Sequence, residues 1–582
     1  MTYSKYFQDE LSFLKEAGSE FSKSHPQLTK FLSESSNDPD VERLLEGFAF
    51  LNGKLRQKLD DELPELTQSL ISLLWPHYLR SVPSMCIAQM IPYAGSVSQK
   101  STVTRGHEMA SEKVDETQCQ FRTCYDVDLY PLSINSVTQQ NTRSNSHLNV
   151  TLSTDTGVEL SRIGLDKLRF HIHGELHISR ILYLWLFRYL DSVDVNLAGG
   201  GSQRLPASCI KKVGFSEDEA LLPYGPNSFS GYRLIQEYFS MPDKFMFFDV
   251  DGLEWLKGVP SQSTMSLVFN FSRSLPSEVT IREKNLRLFC TPIANVFELD
   301  ADPIRLDHKR TEYRVRPQTT RQNNFEVYSV NQVRGWSNEN RRQVDYLPFE
   351  SFEHQLGIDN NRHYYNVKVS EHVSGKGLSH YISFFDHNAG VANLETETVL
   401  IKLTCTNGKL PQRLAPGDIT FSTHKSPNYA NFTNLTKPTV SVSPQIDSSL
   451  HWQLIANMSL NYLSLIDTDV LKMMLSIYDF HSRSDRQSQR ASANRLNGIK
   501  AINMKPIERI FRGLPIRGNQ IVLQMDSSMF ANEGDMYLLV SILNEFFSLY
   551  SSINSFSELE VIDVKTGEVY RWDGNQGKQA VI

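Results

Sequence analysis

The chain has 582 residues, 40% of them hydrophobic and 21% charged, with a formal net charge of −7 at pH 7. That length supports several buried cores in about four domains or fewer, and the balance of apolar to charged residues excludes a disordered chain. A mildly acidic chain without a long Lys/Arg cluster carries no electrostatic footprint for nucleic acid or anionic lipid, so protein partners are expected. Six cysteines, Cys86, Cys119, Cys124, Cys209, Cys290 and Cys405, are scattered without a CxxC pair, and the opening MTYSKYFQDE lacks the apolar core of a signal peptide. A reduced, cytoplasmic compartment follows, which makes the Asn431-Phe432-Thr433 sequon irrelevant. The apolar run Ile181 to Leu190 is interrupted by Arg188 and reaches only about half a membrane span, so no direct membrane insertion is expected.

Phe7, Leu11, Leu14 and Phe21 predict a short amphipathic helix, ended at Gly18 or at His25-Pro26. The following stretch, Asp38 to Arg80, dominates the amino-terminal part. Val41, Leu44, Leu45, Phe48, Leu51, Leu55 and Leu59 recur at helical i, i+3, i+4 spacing along one stripe. Asp38 is placed to cap this helix, Pro39 suits its first position, and Asp40 and Glu42 complement the positive helix end. Pro64 opens a second helix whose stripe is Leu66, Leu70, Leu73 and Leu74, stopped by Trp75-Pro76. Two helices with facing stripes imply a bundle. Gly47 and Gly53 sit inside the first of them, where each costs roughly 1 kcal/mol relative to Ala unless another helix packs against the bare backbone.

From Ile87 the pattern turns to strands. Cys86 to Pro92 and Gln120 to Ile134 alternate apolar with polar residues. Leu168, Phe170 and Ile172 alternate with Arg169, His171 and His173, and Glu175 to Leu190 reads as a helix apolar on most faces. After the Gly199 to Gly201 loop, Ser230 to Phe239 predicts a short helix and Lys244 to Val250 a strand. Further strands are expected within Asn285 to Pro317 and at Phe325 to Val333, Tyr364 to Val369 and Val399 to Thr404. Leu450 to Leu465 and Asp467 to Phe480 return to helix, and His481 to Arg495 reads as a polar, solvated linker. Strand Ile521 to Met525, helix Asp535 to Tyr550, strand Leu559 to Val564 and strand Glu568 to Trp572 describe a compact terminal α/β unit. The expected architecture is α+β and multidomain. It comprises a helical bundle-forming segment at 1–90, a β-rich domain at 91–330 with a buried helix near 175–190, a second β-rich domain at 331–445, and a small α/β domain at 446–582.

The candidate chemistry is thin. His171 and His173 would share one strand face and could chelate a metal with His177 or Glu175, but paired histidines on the wet side of a strand need none. Asp300, Asp302 and Asp307 invite calcium or glycosidic chemistry. Their spacing lacks the EF-hand glycine and closing Glu, and Arg305, Lys309 and Arg310 suffice to pair them in salt bridges. Gly375-Lys376-Gly377 is not a Walker A loop, and Gly199 to Gly201 is not a dinucleotide fingerprint. Arg483, Arg486, Arg490 and Arg495 could grip phosphate, though their Ser and Gln neighbours suit a solvated loop. No catalytic residue, cofactor or metal is assigned.

Several segments carry a family resemblance. YFQDELSFLKEAGSEFSKSHPQL at Tyr6 to Leu28, DPDVERLLEGFAFL at Asp38 to Leu51 and QKLDDELPELTQSLISLLWPHYLRSVPSM at Gln57 to Met85 resemble the amino terminus of TssF, a baseplate component of bacterial type VI secretion systems. FRTCYDVDLYPL at Phe121, LRFHIHGEL at Leu168, the Leu221 to Leu253 and Ala294 to Pro317 segments, SLNYLSL at Ser459 and FFSLYSSINSFSEL at Phe546 extend the likeness over most of the chain. Gln139 to Glu159 and 481–495 match least. The resemblance implies a fold like that of a phage baseplate wedge protein and a structural, non-enzymatic role. It implies a second TssF copy and TssG as bundle partners, TssK and TssE within the assembled baseplate, and only indirect contact with the membrane complex, in a cytoplasmic baseplate docked at the inner membrane. The stripes Val41 to Leu59 and Leu66 to Leu74 are then the expected partner interface. A wedge component of a related contractile phage or injection particle, or a β-rich metal-dependent or carbohydrate-active tail enzyme, are the alternatives.

Overall fold

A computed structural model describes residues 2–24, 39–60, 64–225, 229–259, 262–307, 309–337, 343–349, 363–371, 377–386, 397–423, 426–444, 446, 452, 454–456, 467–483, 486–511, 514–551 and 555–577. Two compact units emerge, residues 1–79 with 445–459 and residues 80–444 with 460–582. The described fold is mixed α and β and rich in strands.

The first unit contains helices α1 (Thr2–Ser24), α2 (Pro39–Asp60) and α3 (Pro64–Leu74), followed by a short 3-10 turn at Pro76–Leu79. Gly18 does not end α1, because a single helical glycine costs only about 1 kcal/mol and the turns around it hold. Most of the expected helix at Leu450 to Leu465 lies outside the described residues.

The second unit is built on antiparallel sheets. A six-stranded sheet runs in the order Phe421–Ser422, Glu108–Val114, Thr117–Thr123, Cys290–Ala294, Met85–Pro92, Ala430–Asn434. A five-stranded sheet follows the order Ser202–Pro206, Leu190–Leu197, Thr264–Phe271, Ser146–Thr154, Leu132–Asn141. Strict alternation explains its centre, since every second residue of Ser146–Thr154 and of Thr264–Phe271 is buried. A four-stranded sheet orders Ile210–Lys212, Phe247–Asp251, Lys167–Ile172 and Leu286–Leu288. Helix α4 (Leu176–Arg188) is buried from Ser179 to Leu186, and α5 (Ser230–Ser240) from Gly231 onward.

An eight-stranded sheet is built around Glu326–Ser337 and Glu397–Thr406 and includes Gln343–Pro348, His363–Glu371 and Leu378–Asp386. Its core gathers Phe297, Val333, Tyr346, Ile382, Val399, Ile401 and Leu403. Among the described residues, Gln343–Pro348 and His363–Glu371 are its one parallel pair. The carboxyl-terminal region begins with α6 (Thr468–Tyr478), whose Asp467 side chain accepts the Asp469 and Val470 amides.

Two features here differ from the sequence reading. Residues Arg486–Asn497 form a helix, α7, where a solvated linker was expected. Its residues are nearly all polar, so there is no stripe to read, yet Ser492 is buried and Arg495 Nε lies 3.3 Å from an Asp535 carboxylate oxygen. The terminal sheet also has four strands instead of three, because Ile499–Phe511 joins Leu514–Met525, Phe556–Asp563 and Val569–Gln576. Lys505, Pro506, Glu508 and Arg509 break its alternation, as befits an edge strand. Helix α8 (Glu533–Tyr550) joins the parallel pair Leu514–Met525 and Phe556–Asp563 and is buried nearly all round. Gly534 lets α8 close onto α4, since a Cβ there would collide with the Arg180 carbonyl.

Candidate interaction surface

Helix α2 presents two faces. Along one, Val41 and Leu45 are half-buried and Ala49 and Gly53 are buried, an i±4 row suited to helix packing. A Cβ at Gly53 would meet the Phe7 backbone of α1 at 3.2 Å. Ion pairs fix the register of α1 against α2: Lys15 Nζ to Glu42 at 3.0 Å and Arg56 Nη1 to Glu10 at 2.9 Å. Descending numbers on α1 meet ascending numbers on α2, so the two helices are antiparallel. Among the described residues the helix packed along α2 is α1, where facing leucine stripes suggested α3.

About a third of a turn away lies the second face. Leu44, Phe48, Leu51 and Leu55 are 74%, 54%, 60% and 61% exposed. Their 4-3-4 spacing is that of a and d positions in a heptad, and the row runs roughly 16 Å at 1.5 Å per residue. Beside it, Gly47 has nothing within 4 Å of its would-be Cβ. The single stripe read from the sequence thus divides into an inner row and an outer row, because seven apolar positions over five turns span more arc than one neighbouring helix covers.

Helix α3 departs from expectation in the same sense. It buries Ile71, Thr67 and Gln68, with Trp75 just beyond, while Leu73 and Leu74 are exposed and Leu70 is half-buried. The side chains of Leu59 and Leu66 lie outside the described residues. Sequence reasoning missed Phe13 of α1 and Phe50 of α2, both exposed. They fall off the periodic rows, and only their size marks them.

His171 is buried, which corrects its expected place on a wet face. Its Nδ1 is 3.2 Å from the Met246 carbonyl, and its ring lies 4.4 Å from Phe247 and 5.9 Å from His173. Burial, with a smaller contribution from His173, pushes the His171 pKa down to about 3. His173 is also lowered, by burial and then by Arg287. His177 sits beside the Asn532 amide at 3.5 Å. Among the described residues no group of three or more His, Cys, Asp or Glu side chains is arranged to hold a metal ion.

Two of the three aspartates, Asp302 and Asp307, find neutral donors where salt bridges were expected. Asp307 accepts the Tyr313 hydroxyl at 3.1 Å and the Lys309 amide at 3.3 Å, and Asp302 accepts Gln322 Nε2 at 3.0 Å. Gly199 to Gly201 lies in the turn joining Leu190–Leu197 to Ser202–Pro206, while Gly375 and Lys376 lie outside the described residues. A cavity of about 420 Å³ is lined by Arg105, Asp126, Asp128, Lys167, Arg169 and Glu219 among others. Its chief cation is already engaged: Arg169 binds Asp249 through Nε at 2.7 Å and Nη2 at 2.8 Å, and Glu219 at 3.2 Å. All six cysteines are buried. Among the described residues no helix is long and apolar enough to cross a membrane.

The sequence model of the family described as "Type VI secretion system, TssF" matches residues 2–579. The chain belongs to the TssF family. A family relative from Pseudomonas aeruginosa, described as type VI secretion system component TssF1, is 29% identical over 99% of this chain and 98% of its own length. A chain from a cryo-electron microscopy structure of a type VI TssK-TssF-TssG baseplate subcomplex superposes with a TM-score of 0.79 at 32% identity, over 93% of this chain and 99% of that one. A chain of the type VI baseplate complex gives 0.66 at 27% identity over the full length of both. The family match, over residues 2–579, includes the exposed outer row of α2 as well as the sheets.

Proposed function

We propose that this chain is a structural wedge subunit of the type VI secretion baseplate, whose amino-terminal helices bundle with TssG and a second TssF copy. In this reading TssK and TssE are further partners in the assembled baseplate, and the whole supports sheath and tube assembly on the cytoplasmic side of the inner membrane. Membership in the TssF family and the likeness to a chain of a TssK-TssF-TssG subcomplex support the role. The observation that carries the bundle is the outer row of α2. Leu44, Phe48, Leu51 and Leu55 stand in water at heptad positions, and each would gain about 1.5–3 kcal/mol on burial against a partner helix.

Val41, Leu45, Leu59 and Leu66 belong to the proposed interface by sequence pattern alone, while Leu70, Leu73 and Leu74 of α3 are half-buried or exposed and free to join it. No catalysis is required of such a part. Its work is mechanical, holding neighbouring subunits through buried helical contacts that rearrange on contraction.

Replacing Leu44 and Leu55 together with Asp tests this reading, since each aspartate would place an unpaired charge in the bundle. Both side chains face water in the lone chain, so the double variant is expected to fold, with an unchanged circular dichroism spectrum and melting temperature, and to lose copurification with TssG. Wild-type yield of the complex from the folded variant would show that the outer row is not the contact.

A further inference from the structure

Residues 297–406 form a body of their own inside the larger unit. The strands of the eight-stranded sheet, from Phe297–Asp300 to Glu397–Thr406, pair with one another. Among the described residues their buried apolar core, from Phe297 to Cys405, draws on this segment alone. The chain enters from Cys290–Ala294, a fully buried strand of the six-stranded sheet, and leaves at Asn407 toward Phe421–Ser422 and Ala430–Asn434 of that same sheet.

The two crossing points are tied together. The Asn407 amide donates to Asn295 Oδ1 at 2.7 Å, and Asn295 Nδ2 donates to Asn407 Oδ1 at 2.9 Å. Both asparagines are buried and both hold the backbone of Gln120, whose amide donates to Asn407 Oδ1 at 3.1 Å and whose carbonyl accepts Asn295 Nδ2 at 2.7 Å. Val296 alone separates this anchor from the pairing of Phe297 with Cys405. Two short connections side by side leave one easy motion, rotation about the line that joins them.

Away from this neck, polar groups bridge the two sides. Arg80 lies over the Tyr328 ring at 5.4 Å, and Asn324 Nδ2 donates to the Thr117 hydroxyl at 2.8 Å. Arg321 grips the hairpin turn Asp115-Glu116, donating to the Asp115 carbonyl at 2.6 Å and pairing with the Glu116 carboxylate. That turn is strained, because Asp115 and Glu116 stand at φ values of +47° and +58°, which suit Asn and Gly. Arg413, 2.7 Å from the Asp115 carboxylate, holds it from the other side. All four side chains are exposed, so each ion pair is weak and screened by salt. Domains move across boundaries of this polar kind.

We propose that residues 297–406 swing as a rigid body about the Asn295–Asn407 neck, with Arg321 on the Asp115-Glu116 turn as the latch. The device stands whatever covers the outer row of α2.

The test is double electron–electron resonance on the purified full-length chain, spin-labelled at Thr138→Cys and Gln343→Cys. Both positions are exposed and all six native cysteines are buried, which confines labelling to the pair. Wild type in low salt should give one dominant distance. A second should grow in about 1 M salt. It should grow likewise in Arg321→Ser and in Asp115→Asn combined with Glu116→Gly, the open-to-closed ratio rising about two- to fivefold. Asn-Gly suits the turn, so the double variant keeps its hairpin while losing its carboxylates. Arg509→Ala, which breaks an exposed pair with Glu558 in the terminal sheet, should change nothing. One unaltered distance throughout would overturn the hinge. An equal change in Arg509→Ala, or a wild type already as open as the latch variants, would overturn the latch.

Discussion

The amino-terminal helices and the β-rich unit treat their surfaces in opposite ways. In the first, four large apolar side chains of α2 stand exposed at heptad spacing while small ones, Ala49 and Gly53, are buried. In the second, even charges go inside: Arg180, Lys244, Glu237 and Asp535 are all buried and matched with one another or with neighbours. A unit that can afford to bury ion pairs has apolar area to spare. One that leaves Leu44 and Leu51 in water reserves them for something outside itself.

The largest effect expected from this contrast lies in the second unit. Asp535 at the start of α8 is approached by Arg180 Nε at 3.9 Å and by Arg495 Nε at 3.3 Å, and both Arg180 and Asp535 are fully buried. Asp535→Ala leaves the Arg180 guanidinium without its interior counter-charge. It should cost about 3–5 kcal/mol in urea unfolding of the chain alone, and addition of partner subunits should not restore the loss. A loss below 1 kcal/mol would mean that this interior tolerates an unmatched cation and that the contrast is overstated.

A second prediction concerns acid. His171 titrates near 6.5 when unfolded but is held down to about 3 in the fold by burial, so between those values the unfolded chain binds a proton that the native one cannot. Stability must then fall as pH drops from about 6.5 toward 3, by up to roughly 1.4 kcal/mol per pH unit from this group, with no contribution above 6.5. His380, buried and lowered to about 4, adds to the same slope. Urea titrations of wild type and His171→Gln at pH 7 and pH 5 measure the share due to His171, and equal slopes would refute it.

Much of this was legible in the sequence, and the misses have physical reasons. Periodicity found α2 because its apolar residues recur at helical spacing whether or not they are covered, and α4 and α8 because each buries a broad apolar face. It found Ser230–Ser240 nearly to the residue, but started the strand Phe247–Asp251 three residues early, at Lys244, where Pro242–Phe245 forms a 3-10 turn. It failed at α7, whose order depends on one buried serine and one distant carboxylate, and at Ile499–Phe511, where edge protection has erased the alternation. The candidate surface was legible as a set of residues and not as a geometry. Val41 through Leu59 read as one stripe, and nothing in the spacing says which members α1 covers.

The smallest predicted effect is the sharpest test of the contrast, because it sets two glycines of one helix against each other. Gly53 lies against the Phe7 backbone at 3.2 Å, so Gly53→Leu must push α1 away and should destabilise the lone chain by about 1–3 kcal/mol. Gly47 has open space around it, so Gly47→Ala gains helix propensity without a clash and should stabilise the lone chain by up to about 1 kcal/mol. If a partner helix seats beside the Leu44 to Leu55 row, the added methyl stands at the flank of that seat. The same substitution should then weaken the complex with TssG while it strengthens the free chain. Opposite signs in thermal melts and in partner titrations would locate the missing helix at Gly47. Stabilisation in both would place the partner on the far side of the row and leave Gly47 an ordinary solvent-facing position.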